Sequence, residues 1–237
     1  MTKAKLLNSL KSTQDKWFSL STKDIVCNSY YPAGYKSDNK LKMKLQNALS
    51  IADGIVAALS PNCEIINVAG SCRRKKPEVG DIEIVCVPKR KIIKPLFGDD
   101  IIGGRTKGFV SAVELLGKRV KGSIIDGKNV KVKLEEGIIV DMWLPDYQEF
   151  YRHLAIRTGS SDYSARVIAT GWRKKGWCGS DLGLRKISDC IEHKHRSGSS
   201  TWKCVNVKAE QPPQRKSEQE FFDWLGIKWV EPASRNI

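Results

Sequence analysis

Asp81 and Glu83, in the run Gly80-Asp81-Ile82-Glu83-Ile84-Val85, and Asp141, in Ile138-Ile139-Val140-Asp141-Met142-Trp143, each interrupt a stretch otherwise apolar enough to be buried strand. Strand side chains alternate faces with period two, so Asp81 and Glu83 project together while Ile82 and Ile84 enter a core. If the Asp141 strand lies alongside, three carboxylates gather at one place. Like charges that close repel in a partly dehydrated site, and the remedies are proton sharing, a basic partner or a bound divalent cation. Oxygen-only ligands favour magnesium, with manganese as the alternative.

Just upstream, Val68-Ala69-Gly70-Ser71-Cys72-Arg73-Arg74-Lys75-Lys76-Pro77 joins a predicted strand to the acidic one through a glycine, a hydroxyl and a dense run of positive charge. Gly70 allows close approach of the backbone to a ligand, Ser71 offers a hydroxyl and an N–H, and Arg74 can grip phosphate oxygens through two N–H groups. Gly80 is either a strand-entry glycine or bare backbone beside a phosphate, and these two readings are compatible. Metal-type carboxylates and phosphate-type donors within one short stretch are what phosphoryl transfer requires, since positioning and charge neutralisation supply most of that catalysis.

Gly70-Ser71 with Arg73-Arg74, then Gly80-Asp81-x-Glu83, then Asp141 in a later apolar strand, resemble the nucleotidyltransferase signature of family X DNA polymerases. Arg157-Thr158-Gly159-Ser160 resembles the aromatic-Thr-Gly-Ser turn of that family. The stretches from Trp177 to Arg185 and from Glu220 to Pro232 resemble the closing segment of its fold. The resemblance implies an α+β protein: a nucleotidyltransferase palm at 41–147, with a mixed β-sheet flanked by helices, and a small α/β C-terminal domain at 148–237 contacting nucleotide and DNA. Asp81, Glu83 and Asp141 become the catalytic residues and the ligands of two magnesium ions. Gly70, Ser71, Arg74 and Gly80 meet the triphosphate, and Arg157 and Gly159 meet the sugar and base. The implied activity is metal-dependent addition of deoxynucleotides to a DNA 3′ end with release of pyrophosphate, at gaps or short primer ends as in repair, by a monomer whose partners are DNA and deoxynucleoside triphosphates. The chain departs from the family pattern at Glu83, where aspartate is usual, and at Arg157, where an aromatic residue is usual. Transfer to RNA or a small molecule, or a catalytically inactive nucleic-acid-binding module, are the rival readings.

Composition agrees with a nucleic-acid partner. The net charge is +15 over 237 residues, with 25 basic and 17 acidic residues up to position 150 and 16 against 9 beyond it. A pI near 9.5 describes a surface that binds phosphate backbone largely without sequence preference and loses affinity as salt rises. Seven cysteines, without C-x-x-C pairs, fit a reduced intracellular compartment. Cys190, His193, His195 and Cys204 match no familiar zinc spacing. Neither a membrane span nor a signal peptide is evident, so the expectation is a soluble, cytoplasmic protein without membrane association. A compact polymerase core suits a viral or mobile-element genome.

The elements that must position these residues can be read along the chain. Residues 1–40 are polar, with a short helix near 5–10 and a turn at 28–34, and are read as an extension too short to supply the family's amino-terminal modules. Apolar spacing of three and four predicts a helix over 41–59, ended by Ser60-Pro61. Strands are expected at 64–69 and 81–87, a loop at 89–107, a helix at 108–116, and strands at 119–125, 128–134 and 138–144. Asp126-Gly127 signals the hairpin between the first two of these. Asp146 with Glu149 suggests a capping box opening a helix to 156, and Ser161 or Asp162 a cap for a second helix to 175. Strands near 182–190 and 201–207 flank a loop at 192–200, and a helix over 217–225 follows. The tryptophans of this half are read mainly as core.

Overall fold

The protein is described here by a computed structural model covering residues 42–195, 200–206 and 208–237. The expectations for residues 1–41 lie outside the described residues. The chain is a mixture of helices and mixed β-sheets, an α+β protein, and divides into two compact units, the first ending at Tyr147 and the second running Gln148–Ile237.

In the first unit the Leu45–Leu59 helix buries Ala48, Ile51, Ala52, Ile55 and Leu59, the three-and-four spacing that sequence alone displays. Ser60 and Pro61 begin a 3-10 turn that ends it. The Lys107–Leu116 helix buries Phe109, Ala112, Val113 and Leu116 and is capped by Thr106, whose hydroxyl oxygen accepts the Phe109 N–H at 3.3 Å. Both helices share one core with alternate residues of a five-stranded sheet: Ile82 and Ile84 of β4 (Asp81–Pro88), Val130 and Val132 of β8 (Asn129–Lys133), and Val140 and Met142 of β9 (Ile139–Trp143). Strand order is β2-β4-β9-β8-β7, with β2 at Cys63–Val68 and β7 at Lys118–Lys121, while β1 (Met43–Lys44) pairs antiparallel with β3 (Glu78–Val79), so the helix expected from residue 41 starts at Leu45. The β4/β9 pair is parallel and the other pairs antiparallel. Because the apolar set of three strands must face the helices, a one-residue slip would bury the charged set instead, so the core fixes the register.

Expectations for this unit and for the start of the next are corrected. The stretch 89–107 is not a loop: β5 (Arg90–Ile93) and β6 (Ile101–Arg105) form an antiparallel ribbon, with Ile92 opposite Ile102 and Ile93 opposite Ile101. It escapes a periodicity reading because, among the described residues, no apolar face of it is buried; Leu96 and Phe97 at its tip are 90% and 86% exposed. The strand expected at 119–125 stops at Lys121, because Gly122 takes a φ of +80° and a Cβ there would sit 1.9 Å from the Asn129 carbonyl oxygen. The buried Arg105 guanidinium then holds the connection, donating to the Ile124 and Gly127 carbonyls at 2.8 and 2.6 Å. The Asp146/Glu149 capping box does not form, since Asp146 accepts from Arg90 at 3.0 Å and Glu149 pairs with Arg152. A 3-10 turn, Tyr147–Glu149, leads instead into the Phe150–Thr158 helix.

The second unit has its own core, in which Ala155, Ile168, Trp172, Trp177, Phe221, Phe222 and Leu225 pack together. Its sheet has four strands where two are expected: β10 (Trp177–Ser180), β11 (Gly183–Lys186), β12 (Cys190–Lys194) and β13 (Ser200–Cys204), in the order β11-β10-β13-β12. The expected 182–190 strand is broken by the Ile187–Asp189 turn, and part of the expected loop is strand β12. Cys190 faces Cys204 across strands, while His195 contacts the Thr201 hydroxyl at 3.0 Å. Capping of the second helix also differs: Ser160, not Ser161 or Asp162, accepts the Tyr163 N–H at 3.1 Å. The helical run then passes through a π-turn at Ser164–Ile168 before Ala169–Lys174.

A buried ion pair organises the end of this unit. Arg235, with no exposed surface, donates through two nitrogens to the two Glu218 oxygens at 2.7 and 3.0 Å, and through Nε to the Val230 carbonyl at 3.0 Å. Trp229 Nε1 adds a donor to Glu218 at 3.1 Å, and the Arg235 guanidinium lies over Phe222, 4.7 Å from the ring centre. Removing one partner strands the other charge away from water, which costs about 3–5 kcal/mol. Glu218→Ala is therefore expected to destabilise the protein by about that amount in urea unfolding, with Glu218→Gln intermediate because its amide oxygen can still accept from Arg235. A loss below about 1 kcal/mol for the alanine variant would show that the pair is dispensable.

Candidate active site

The site stands on the sheet face opposite the two helices. Asp81 and Glu83 leave β4 on that face, and the parallel register sets Asp141 directly beside Glu83 and Ile139 beside Asp81. Asp141 is 7% exposed, whereas Asp81 and Glu83 are half-buried. A carboxylate so buried needs compensation. Strand β8 supplies it: Lys131, opposite Asp141, places Nζ 2.6 Å from Oδ2, and Asn129 Nδ2 donates to Oδ1 at 2.6 Å and to the Met142 carbonyl at 3.1 Å. Sequence reading missed both residues. Their signal was present, since Asn129, Lys131 and Lys133 alternate with Val130 and Val132, but nothing in one dimension says which strand lies beside β9.

The phosphate-type turn abuts the same carboxylates. After β2 the chain makes a single helical turn, Gly70–Arg73, and the Ala69 N–H donates to the Glu83 carbonyl at 2.8 Å, tying the turn to β4. Gly70 has a φ of +60°, and a Cβ there would lie 2.0 Å from Glu83 Oε2, so only glycine lets the carboxylate rest against the backbone. The turn closes by hydrogen bonds donated by the Arg74 N–H to the Gly70 carbonyl and by the Lys75 N–H to that of Cys72, both at 3.0 Å. Lys75 takes a φ of 56°, a left-handed conformation no other non-glycine among the described residues adopts. Burial lowers the pKa of Arg74, while Glu83 and Asp81 act on it in the opposite sense, so its charge lies in the field of both carboxylates.

Cys72, beneath this turn, is almost wholly buried. Its thiol is pushed up to about 12, first by burial and then by Asp81, Glu83 and Asp53. It is a neutral space-filling group, not a nucleophile.

The carboxylates share a face without forming a finished ligand set. Among the described residues no three His, Cys, Asp or Glu side chains are gathered to hold a metal ion. In donor chemistry the trio nonetheless suits a hard divalent cation: all are carboxylates, two stand side by side in register, and Asp141 already accepts from a cationic ammonium at 2.6 Å. A cation would take over the neutralisation that Lys131 now provides. Beside the trio lies a cavity of about 320 Å³, walled by Gly80, Asp81 and Ile139 on one side and by Val120, Lys131 and Lys133 on the other.

Seven expected site residues thus fall in one neighbourhood or on the segments bounding it: Gly70, Ser71, Arg74, Gly80, Asp81, Glu83 and Asp141. Arg157 and Gly159 belong to the second unit. Arg157 is half-buried near the end of the Phe150–Thr158 helix. Gly159 caps that helix, its N–H donating to the Ala155 carbonyl at 3.1 Å, and a Cβ there would come within 2.8 Å of both Ser164 Oγ and the Tyr163 ring. The Ser160 N–H is anchored to the Arg235 carbonyl at 3.0 Å, so the Thr-Gly-Ser turn is held by the same segment as the buried ion pair.

The sequence matches no protein-family model, and no curated protein is similar enough to count as a relative.

Two outcomes are expected. Gly70→Ala must leave the +60° conformation or push Glu83 away, and is expected to cost about 1–3 kcal/mol in chemical denaturation. A neutral result would mean that the turn relaxes freely. Cys72 keeps its proton in the folded state between its ordinary value of 9.0 and about 12, while the unfolded chain releases it, so stability declines as pH rises through that window. The decline is expected to be shallower in Cys72→Ala by up to one proton's worth of slope, measured by urea titration at several alkaline pH values.

Proposed function

We propose that this protein is a metal-dependent nucleotidyltransferase of the family X DNA polymerase type, with residues 41–147 as its palm, adding deoxynucleotides to a DNA 3′ end with release of pyrophosphate. One observation carries the reading: the parallel β4/β9 register sets Asp141 beside Glu83 on the face that also bears Asp81, next to a glycine-serine turn whose Arg74 lies in their field.

Asp81, Glu83 and Asp141 would hold divalent cations, magnesium or manganese, which supply charge neutralisation and activation of the attacking hydroxyl. The remaining tasks fall to this chain's own residues. Ser71, with the backbone at Gly70 and Gly80, offers short, close donors to the β and γ phosphates, and Arg74 adds a positive charge able to stabilise the leaving pyrophosphate. Attack of the primer 3′ oxygen on the α phosphorus forms the new P–O bond as the bond to the bridging oxygen breaks, and the hydroxyl proton leaves towards the carboxylate cluster. Asn129 and Lys131 hold the Asp141 carboxylate in place before substrate arrives. Gly159 and Arg157 in the second unit are assigned to the nucleotide's sugar and base; Arg157 presents a cation and not a flat ring.

Primer extension on gapped and blunt substrates, with deoxy- and ribonucleotides in parallel, tests the reading. Asp141→Ala is expected to lower incorporation by about a thousandfold or more, some 4 kcal/mol of transition-state stabilisation, while DNA binding without metal changes little. Robust extension by the variant would remove Asp141 from the mechanism. Absence of incorporation by the wild-type protein with either cation, alongside salt-sensitive DNA binding, would favour the inactive binding module.

A further inference from the structure

The sheet face that carries the carboxylates continues into a block of positive charge. On β9 Asp141 stands opposite Lys131 of β8, and Lys131 stands opposite Lys121 of β7; one step along, Ile139 faces Lys133, and Lys133 faces Lys118. Two lysine–lysine pairs therefore lie across β7 and β8, one on either side of an irregularity in β7 between Arg119 and Lys121, with the cavity reaching from Asp81 to Lys131 and Lys133. Like charges placed opposite one another destabilise a sheet, and two such pairs in succession contradict the local rule. Places where a local rule is broken without structural return are where a ligand is expected to repay the cost.

An alternative purpose accounts for only half of the pattern. β7 is an edge strand of this sheet, and edge lysines discourage pairing with other chains. That suffices for Lys118 and Lys121 alone. It does not explain Lys131 and Lys133, which sit on the interior strand β8 and each face a lysine of β7.

We propose that Lys118, Lys121, Lys131 and Lys133 form a track for the phosphodiester backbone of a nucleic-acid strand, delivering its end to the carboxylates, so that the acceptor is a polymer and not a small alcohol. The two pairs are separated by two residues along β8, about 7 Å. A chain bearing a phosphate at every repeat meets both pairs together, whereas a lone phosphate meets one. Lys131 has a second partner in Asp141. A divalent cation held by Asp141 would neutralise it in place of Lys131, whose ammonium would then be available to the strand. Only the destination of the strand rests on the nucleotidyltransferase reading; the track itself does not.

The test is equilibrium binding of a fluorescent single-stranded DNA oligonucleotide by the full chain, in EDTA and without triphosphates, across a salt series. Lys118→Gln/Lys121→Gln is compared with Lys91→Gln/Lys107→Gln, which removes the same charge from exposed positions outside this sheet. The track predicts that the first variant lowers the magnitude of the salt slope by about 1.4, for two single-strand phosphate contacts, and weakens binding about tenfold, while the second stays close to wild type. It also predicts a melting temperature at or above that of wild type, because like-charge pairs are relieved. Equal slopes in the two variants overturn the proposal, as does aggregation of the first with an unchanged slope, the signature of edge protection. Failure of this inference is separable from failure of the enzymatic reading. Extension by a wild-type protein whose slope is indifferent to Lys118 and Lys121 defeats the track alone, and a track without incorporation defeats the polymerase alone.

Discussion

Carboxylates on neighbouring strands repel one another, and much of the first unit can be understood as the means of keeping them together. Asp141 is held by Lys131 and Asn129 from β8, Glu83 lies against the bare backbone of Gly70, and Arg74 stands in the field of Asp81 and Glu83. None of these compensations would hold if the sheet could slide. The opposite face prevents it, because Ile82, Ile84, Val130, Val132, Val140 and Met142 must all meet the same two helices. A hydrophobic constraint on one side of a sheet thus enforces an electrostatically costly arrangement on the other.

That coupling explains how stability and chemistry divide between the faces. Burial of alternate residues supplies the free energy, and the charged face uses part of it to hold groups that would otherwise separate. Cys72 marks the boundary, a thiol kept protonated by its burial and by the carboxylates above it. The second unit follows the same logic with different residues: Arg235 and Glu218 neutralise each other inside an aromatic core, and the segment bearing Arg235 fixes the Thr-Gly-Ser turn through the Ser160 N–H.

Elements with a clear period were legible in the sequence, and elements without one were not. The Leu45–Leu59 helix, β4, β8 and β9 bury one of their faces, so apolar spacing announces them. Among the described residues the β5–β6 ribbon has large apolar residues in solvent and no buried apolar face, and β12 pairs through Cys190, His193 and Lys194 without an apolar stripe. Backbone pairing alone makes both, and pairing leaves no periodic trace. The Asp146/Glu149 box failed for a related reason, since each carboxylate found a guanidinium, in Arg90 and Arg152, that a local pattern does not reveal.

The sequence by itself determined the kinds of donor in the candidate site, the shared face of Asp81 and Glu83, and the glycine and arginine of the adjoining turn, because those follow from residue type and a period of two along one strand. Only the tertiary structure decided that Asp141 stands beside Glu83, that Lys131 and Asn129 neutralise it, and that four lysines extend the same face. Which strand lies next to which is set by burial against the two helices and by hydrogen bonds between residues far apart in the chain. No local spacing encodes that choice.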